Sequence, residues 1–302
     1  MTAVVAITGV TGFIGRHIAD NLLARGFTVR ALTRKAPCRT VNNLSWIQGD
    51  LQRLESLAEL VRGADSVVHC AGQVRGCREE IFTRCNVGGS LQLMQAAHQS
   101  ASCRRFLFIS SLAARHPHLS WYANSKYVAE QQLSALAGDM SLGIFRPTAV
   151  YGQGDKELKP LFRWLLRGIL PRTGGADARL SFIHVTDLAQ AVGQWLSAAH
   201  SPTVPYELCD GLDYSWDSLR QIGEKLRHGR VRVIGTPLPC LKLLADISVI
   251  SSRLAGKDAM LTRSKIHELT HLDWSANNRN LSEFIDWIPK ITLEHALREG
   301  LF

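Results

Sequence analysis

Ala3-Val-Val-Ala-Ile-Thr8, followed at once by Gly9-Val-Thr11-Gly12-Phe13-Ile14-Gly15, is the stretch that decides the fold. The first six residues are apolar or β-branched, as in a short strand buried on both faces of a parallel sheet. Gly9, Gly12 and Gly15 then permit a tight turn and a close backbone approach. From Phe13 to Arg25 the apolar residues Phe13, Ile14, Ile18, Leu22 and Leu23 recur at helical spacing. The first N–H groups of a helix have no intrahelical partner and sit at its positive dipole end, so they attract a phosphate. Glycines alone would also suit an ordinary turn; the strand before them and the helix after them favour a pyrophosphate site.

Farther along, Tyr122-Ala-Asn-Ser-Lys126 sets a phenol and an amine four residues apart, on one face of a helix. A phenol with a pKa near 10 is a poor acid or base at neutral pH. A nearby ammonium favours the phenolate and fits the tyrosine for proton transfer. Ser111 lies eleven residues upstream, where a hydroxyl at a strand end can hydrogen-bond a carbonyl oxygen as charge develops on it. A Tyr-x-x-x-Lys spacing by itself is common on solvated helices; its pairing with the glycine turn carries the information.

Strand-like runs at 3–8, 27–33, 44–49, 65–70, 104–110 and 141–146 alternate with helical stretches, including one from Glu79 to Gln99. This alternation predicts an α/β chain with a Rossmann-type, doubly wound parallel sheet. After Tyr151-Gly-Gln-Gly-Asp155 the texture becomes irregular and punctuated by Gly and Pro. The expected organisation is a dinucleotide-binding domain over 1–150, with 181–203 returning to it, and a smaller interleaved lobe over 151–302 for substrate.

Composition agrees. The 302 residues are 46% hydrophobic and 20% charged, ordinary values for a globular protein with a large core. Seven cysteines, at 38, 70, 77, 85, 103, 209 and 240, show no Cys-x-x-Cys pair, and most fall in apolar segments. Free thiols in a reducing compartment, hence the cytoplasm, are expected. No signal peptide, membrane span or metal cluster is expected. The net charge of +9 is dispersed rather than gathered in an aromatic-interleaved stripe, which disfavours nucleic acid as a partner.

The Gly-x-x-Gly-x-x-Gly spacing with Tyr122-x-x-x-Lys126 resembles the short-chain dehydrogenases/reductases, in their extended, epimerase/dehydratase-like branch. Gly49-Asp50-Leu51, His69-Cys-Ala71-Gly72, Asn86-Val-Gly88, Ile109-Ser-Ser111, Arg146-Pro147 through Gly152, and Phe182-Ile-His184-Val-Thr-Asp187-Leu188 agree with it. The resemblance implies a catalytic set of Ser111, Tyr122 and Lys126, with Ser110 as the competing serine. It implies cofactor contacts from Gly9, Thr11, Gly12, Phe13, Ile14, Gly15, Asp50, Leu51, Ala71, Gly72, Lys126 and Pro147. Asp50 also reads as an ordinary turn residue. His184 and Asp187 would be packing and capping residues, with Thr186 the other candidate cap. A homodimer is compatible with the resemblance.

Cofactor choice turns on the end of the second strand, where a carboxylate selects NAD and an arginine accommodates the 2′-phosphate of NADP. Phe27 to Lys35 holds no acid and ends in Arg34-Lys35, so Arg34 is the candidate phosphate contact, NADP the expected cofactor and NAD the alternative. Two solvated loop charges are the plainer reading of that pair.

Two departures from the resembled family narrow the reaction. Its dehydratases carry an acidic pair beside the catalytic serine, whereas Ser111 here precedes Leu112-Ala-Ala-Arg115. Its epimerases place an arginine just before the strand ending in His184 to hold a diphosphate; Leu180-Ser181 stand there, with Arg179 slightly earlier. The related steroid and hydroxyl-lipid dehydrogenases close over an apolar substrate with an apolar helix, a Leu-Thr-x-x-Lys stretch and an Asp-Trp pair. Leu241, Leu244, Ile247 or Ser248, and Ile250, then Leu261-Thr-Arg-Ser-Lys265 and Asp273-Trp274, are similar. The expected activity is hydride transfer between NADP and a carbonyl or secondary alcohol of a partly apolar small molecule. A sugar-nucleotide epimerase with retained NAD is the alternative, and an NADP-binding sensor without turnover a second one.

Overall fold

The N-terminal strand forms as β1 (Val4–Thr8), and the glycine turn leads into α1 (Phe13–Ala24). The protein is described by a computed structural model over residues 2–35, 41–198, 203–254 and 261–302. Six further strands join β1: β2 (Thr28–Thr33), β3 (Leu44–Gln48), β4 (Ser66–His69), β5 (Arg105–Ile109), β6 (Ser141–Pro147) and, from later in the chain, Pro205–Leu208. The order is β3-β2-β1-β4-β5-β6, then Pro205–Leu208, with every pairing parallel. The order reverses between β1 and β4, and in such sheets ligands bind at the carboxyl ends of the strands beside that switch point.

Both sheet faces are covered, which is why the strands read as continuous apolar runs. On one face α1 packs with α7 (Val185–Ser197), through Ile18, Leu22, Leu188, Val192 and Trp195. On the other lie α2 (Leu54–Val61), α4 (Gly89–Gln99) and α5 (Trp121–Leu136), contributing Leu57, Leu60, Leu93, Met94 and Leu133. The single helix expected from Glu79 to Gln99 is instead α3 (Glu79–Phe82), a wide π-turn over Thr83–Gly88, then α4. The interruption aims Asn86 inward: its side chain accepts from Gln73 N at 2.7 Å and donates to Gln73 O and Ser125 Oγ at 3.0 and 2.9 Å. Such π-turns are frequent at functional sites.

Past β6 the chain forms β7 (Ala149–Tyr151), α6 (Lys159–Leu166), β8 (Ile169–Thr173) and β9 (Phe182–His184) before α7. β9 pairs with β7 rather than with the main sheet, while Pro205–Leu208, which is β10, adds to it beside β6. A third core gathers Tyr151, Phe162, Leu170, Phe182, Trp216 and Leu219 with α8 (Trp216–Arg227). Then come β11 (Arg232–Thr236), paired with β8, and α9 (Leu238–Leu254), α10 (Arg263–Thr270), α11 (Arg279–Ile285) and α12 (Leu293–Glu299).

Asp187 does not cap α7. The His184 ring accepts from Thr186 N at 3.3 Å in that role, and its other nitrogen donates to Leu301 O at 3.1 Å. Asp187 is fully buried and accepts from Lys290 N and Ile291 N at 3.0 and 2.8 Å, holding the C-terminal segment.

A buried relay fixes the switch point. Ala71 N donates to Thr8 Oγ1 at 3.1 Å, and Thr8 Oγ1 lies 2.7 Å from His69 Nδ1. His69 Nε2 lies 2.9 Å from Ser90 Oγ, which donates to Asn86 O at 2.5 Å. One assignment satisfies every link: Thr8 donates to Nδ1 of a neutral ring, whose Nε2–H donates to Ser90. Burial first, then the Lys126 charge, lowers the His69 pKa to about 3. An unfolded histidine takes a proton near pH 6.5 while the folded one resists until about 3, so folding stability falls as pH drops through that window. In urea unfolding at a series of pH values, His69→Gln should flatten this loss, by up to about 1.4 kcal/mol per pH unit. Parallel curves for the two proteins would show that His69 is not held neutral.

Candidate active site

The cofactor side is built from backbone. Gly9 has φ +81°, and a Cβ there would lie 2.7 Å from Ala71 N; one on Gly15 would lie 2.2 Å from Gly9 O. Both positions therefore require glycine. Gly12 N donates to Gly9 O at 2.9 Å, and no side chain caps α1. Thr11 is exposed at the turn, and Phe13 and Ile14 open the helix. This uncapped N-terminus against a side-chain-free turn fits a dinucleotide pyrophosphate.

Arg34 leaves β2 exposed, on a turn in which Lys35 N donates to Thr33 Oγ1 at 3.2 Å. Asp50 behaves as a turn residue, its carboxylate accepting from Gln52 N at 2.8 Å, and Leu51 is buried under α4 beside Gly89. Ala71 and Gly72 follow β4; a Cβ on Gly72 would come within 3.3 Å of both Asn86 Oδ1 and Lys126 Nζ. Pro147 is buried at the end of β6, set apart from the glycine turn by β5 and β4 in the sheet.

The structure brings Ser111, Tyr122 and Lys126 together and separates Ser110 from them. Ser111 caps the 3₁₀ turn Leu112–Arg115, accepting from Ala113 N at 3.2 Å, and its hydroxyl is near enough to the Tyr122 phenol to act on its pKa. Ser110 points the other way, onto Glu130, which is ion-paired with Arg146 in the core. Lys126 is buried; its ammonium donates to Ile109 O at 2.8 Å and sits 4.6 Å from the Phe108 ring centre.

The electrostatics depart from expectation. Burial pushes the Tyr122 phenol well above its ordinary pKa; the Ser111 hydroxyl opposes this, and the Glu268 and Cys70 charges add to it. Lys126, held on Ile109, does not reverse the shift. Burial also lowers Lys126 itself to about 8. The same environment raises the Cys70 thiol to about 12, which leaves it unreactive.

The other wall comes from α10. Lys265 places Nζ 5.5 Å from the centre of the Tyr122 ring and pairs with Glu268, whose carboxylate also accepts from Ser120, the N-cap of α5. Trp121 N donates to Ser264 Oγ at 3.2 Å. The pocket at Tyr122 is further lined by Val74, Arg75 and Phe82. Thus the Leu261–Lys265 stretch does reach the site, whereas the stripe on α9 does not line it. Leu241 and Ala245 of α9 pack behind α10 on Ile266, Leu244 and Ile247 are exposed, and the Ile250 side chain lies outside the described residues. Glu268 and Ser120 escaped the sequence reading: a serine before a helix signals a cap, but its distant acceptor leaves no local trace. Arg179, half exposed, pairs with Asp213 at 2.7 Å and lies 3.8 Å from Asp273, so two carboxylates compete with any diphosphate for its guanidinium.

Residues 5–206 match the model of the NAD dependent epimerase/dehydratase family. A ceramide reductase of Caulobacter vibrioides is 32% identical over 93% of this chain and 88% of its own length. A UDP-glucose 4-epimerase of Vibrio cholerae is 25% identical over 98% and 93%. The solved structure of MoeE5 in complex with UDP-glucuronic acid and NAD superposes with a TM-score of 0.76, covering 98% and 96% of the two chains at 23% identity. The fold, the glycine turn and this breadth of match make the chain a member of the NAD dependent epimerase/dehydratase family and an NAD(P)-dependent enzyme of the extended short-chain dehydrogenase/reductase class.

Proposed function

We infer that this chain is an NADP-preferring reductase acting on a carbonyl, or in reverse a secondary alcohol, of a partly apolar substrate. The observation that carries the reading is the convergence of Ser111 on the Tyr122 phenol, with Lys126 one helical turn on and buried against Gly72 beyond the glycine turn. The dinucleotide, when bound, supplies or accepts the hydride. The α1 N-terminus holds its pyrophosphate, Arg34 takes the 2′-phosphate, and the Lys126 ammonium bordering Gly72 holds the ribose. Ser111 Oγ donates to the substrate oxygen and stabilises the charge that develops there. Tyr122 Oη delivers the proton; burial makes the phenol a weaker acid, so the step relies on the charge that develops on the substrate oxygen to draw the proton across.

Reduction is favoured over epimerisation by two arginines. Arg34 exits a strand that has no acid at its end, and Arg179 is occupied by carboxylates. The similarity to a ceramide reductase supports an apolar substrate. The second reading, a sugar-nucleotide epimerase with retained NAD, draws on the UDP-glucose 4-epimerase relative.

Tyr122→Phe keeps the ring and removes the proton. Turnover should fall on the order of 10²- to 10⁴-fold while cofactor affinity, read by fluorescence titration, stays nearly constant. Unchanged turnover would remove Tyr122 from the chemistry. Replacing Arg34 with Ala should weaken NADPH by roughly tenfold or more and NADH far less, since a charge-assisted contact is worth about 1.5–3 kcal/mol. Equal weakening of both would show that Arg34 does not discriminate.

Cofactor exchange separates the two reactions. A reductase releases oxidised cofactor each cycle, so purified protein should consume NADPH in step with product when given a long-chain ketone. Denaturing the protein, measuring released nicotinamide and offering UDP-sugars to the native enzyme without added cofactor makes the comparison. Tightly held NAD with sugar interconversion would establish the epimerase instead.

A further inference from the structure

We propose that the outer face of α9, with the strand leading into it, is a docking surface for an anionic phospholipid membrane. The helix is apolar on two sides. Leu241 and Ala245 turn inward onto Ile266, whereas Leu243, Leu244 and Ile247 on the opposite side are 61, 51 and 52% exposed. Leu238 and Cys240 at its start are exposed as well; on β11 before it Val233 and Ile234 are exposed too, but on opposite faces of the strand, so at most one of them extends this face. Large apolar side chains gathered along one stretch of surface mark an interaction site rather than ordinary surface.

Charge identifies the partner. From Arg227 to Val249 the cations are Arg227, Arg230, Arg232 and Lys242, and the one acid is Asp246. Asp246 is already neutralised by Arg263, through bonds of 2.9 and 2.7 Å. Lys242 is exposed on α9 itself, next in sequence to Leu243, and Arg230 and Arg232 are exposed on the chain that leads into it. An amphipathic helix with basic flanks lies in the membrane interface, its apolar side chains at the headgroup boundary and its cations on anionic lipid. A second copy of the chain is disfavoured, because a two-fold contact sets each patch against itself and opposes its cations. No described helix is long and apolar enough to cross a membrane, so the contact is peripheral. The surface is separate from the Tyr122 pocket, which α10 lines, and the proposal does not depend on the reaction catalysed there.

The test is co-sedimentation of the full chain with vesicles of phosphatidylcholine alone or of phosphatidylcholine mixed equally with phosphatidylglycerol, at low and high salt. Binding should require phosphatidylglycerol and weaken with salt. A Leu243→Ser, Leu244→Ser, Ile247→Ser triple variant should lose roughly tenfold or more in partitioning. Arg230→Ala with Arg232→Ala should lose roughly fivefold per residue on the anionic vesicles alone. A cooperative melting transition checks that each variant is folded, and the charge variant tests the surface even if the serine variant is not. Absence of wild-type binding, equal binding to neutral vesicles, or a folded serine variant that binds as wild type would overturn the proposal. Light scattering that shows a dimer abolished by the serines, without vesicle binding, would reassign the face to self-association.

Discussion

The chain behind β1 and the chain behind β4 meet with no room for a side chain between them, and the rest of the site depends on that approach. A Cβ on Gly9 would strike the backbone at Cys70 and Ala71, and one on Gly15 would strike the carbonyl of Gly9. The contact is sealed by Ala71 N donating to Thr8 Oγ1, which continues through His69 and Ser90 to the π-turn at Asn86. Asn86 then reaches Ser125, whose hydroxyl donates to Tyr122 O at 2.8 Å. The glycine turn at one strand end is thereby tied through buried polar groups to the helix that carries Tyr122 and Lys126.

That helix is also pinned by charge. Glu130, buried on α5, binds Arg146 on β6 and receives the Ser110 hydroxyl, and Glu268 on α10 receives the Ser120 cap. Buried carboxylates contribute little net stability beside well-packed apolar groups, but removing one partner leaves a charge without compensation. Their effect here is positional: each fixes α5 against a different element. The same burial displaces Tyr122 and Lys126 in opposite directions, phenol up and ammonium down, because it penalises whichever form is charged.

What could be read from the sequence followed from what is local. The strands of the first half announced themselves because a parallel strand covered on both faces is a continuous apolar run, as in residues 4–7 and 106–109. The glycine turn carried its context on either side. Features that rest on distant partners left no such mark. Nothing near Asp187 points to Lys290 and Ile291, and nothing near Lys126 points to the carbonyl of Ile109. The apolar repeat on α9 was visible, but periodicity gives only a face and not its neighbour; the inward face meets α10 and the outward face meets water.

This difference has a structural cause. The first half of the chain hangs on a sheet whose ladders are repetitive and whose signals repeat in the sequence. The C-terminal part is fastened by single contacts: backbone N–H groups of Lys290, Ile291 and Leu293 on the buried carboxylates of Asp187 and Asp210, and Trp274 Nε1 on Glu268 O at 3.0 Å. Arg115 adds to this, donating to Ser275 O and Asp273 O at 2.8 and 3.1 Å from the loop just after Ser111. The segment that bears Lys265 and Glu268 is therefore tied, through Asp273 to Ser275, to the loop just after Ser111. A change in the α10 residues that line the pocket at Tyr122 can be absorbed without disturbing the sheet, so one scaffold of this family can carry different chemistries, with the difference residing in contacts that only the folded chain brings together.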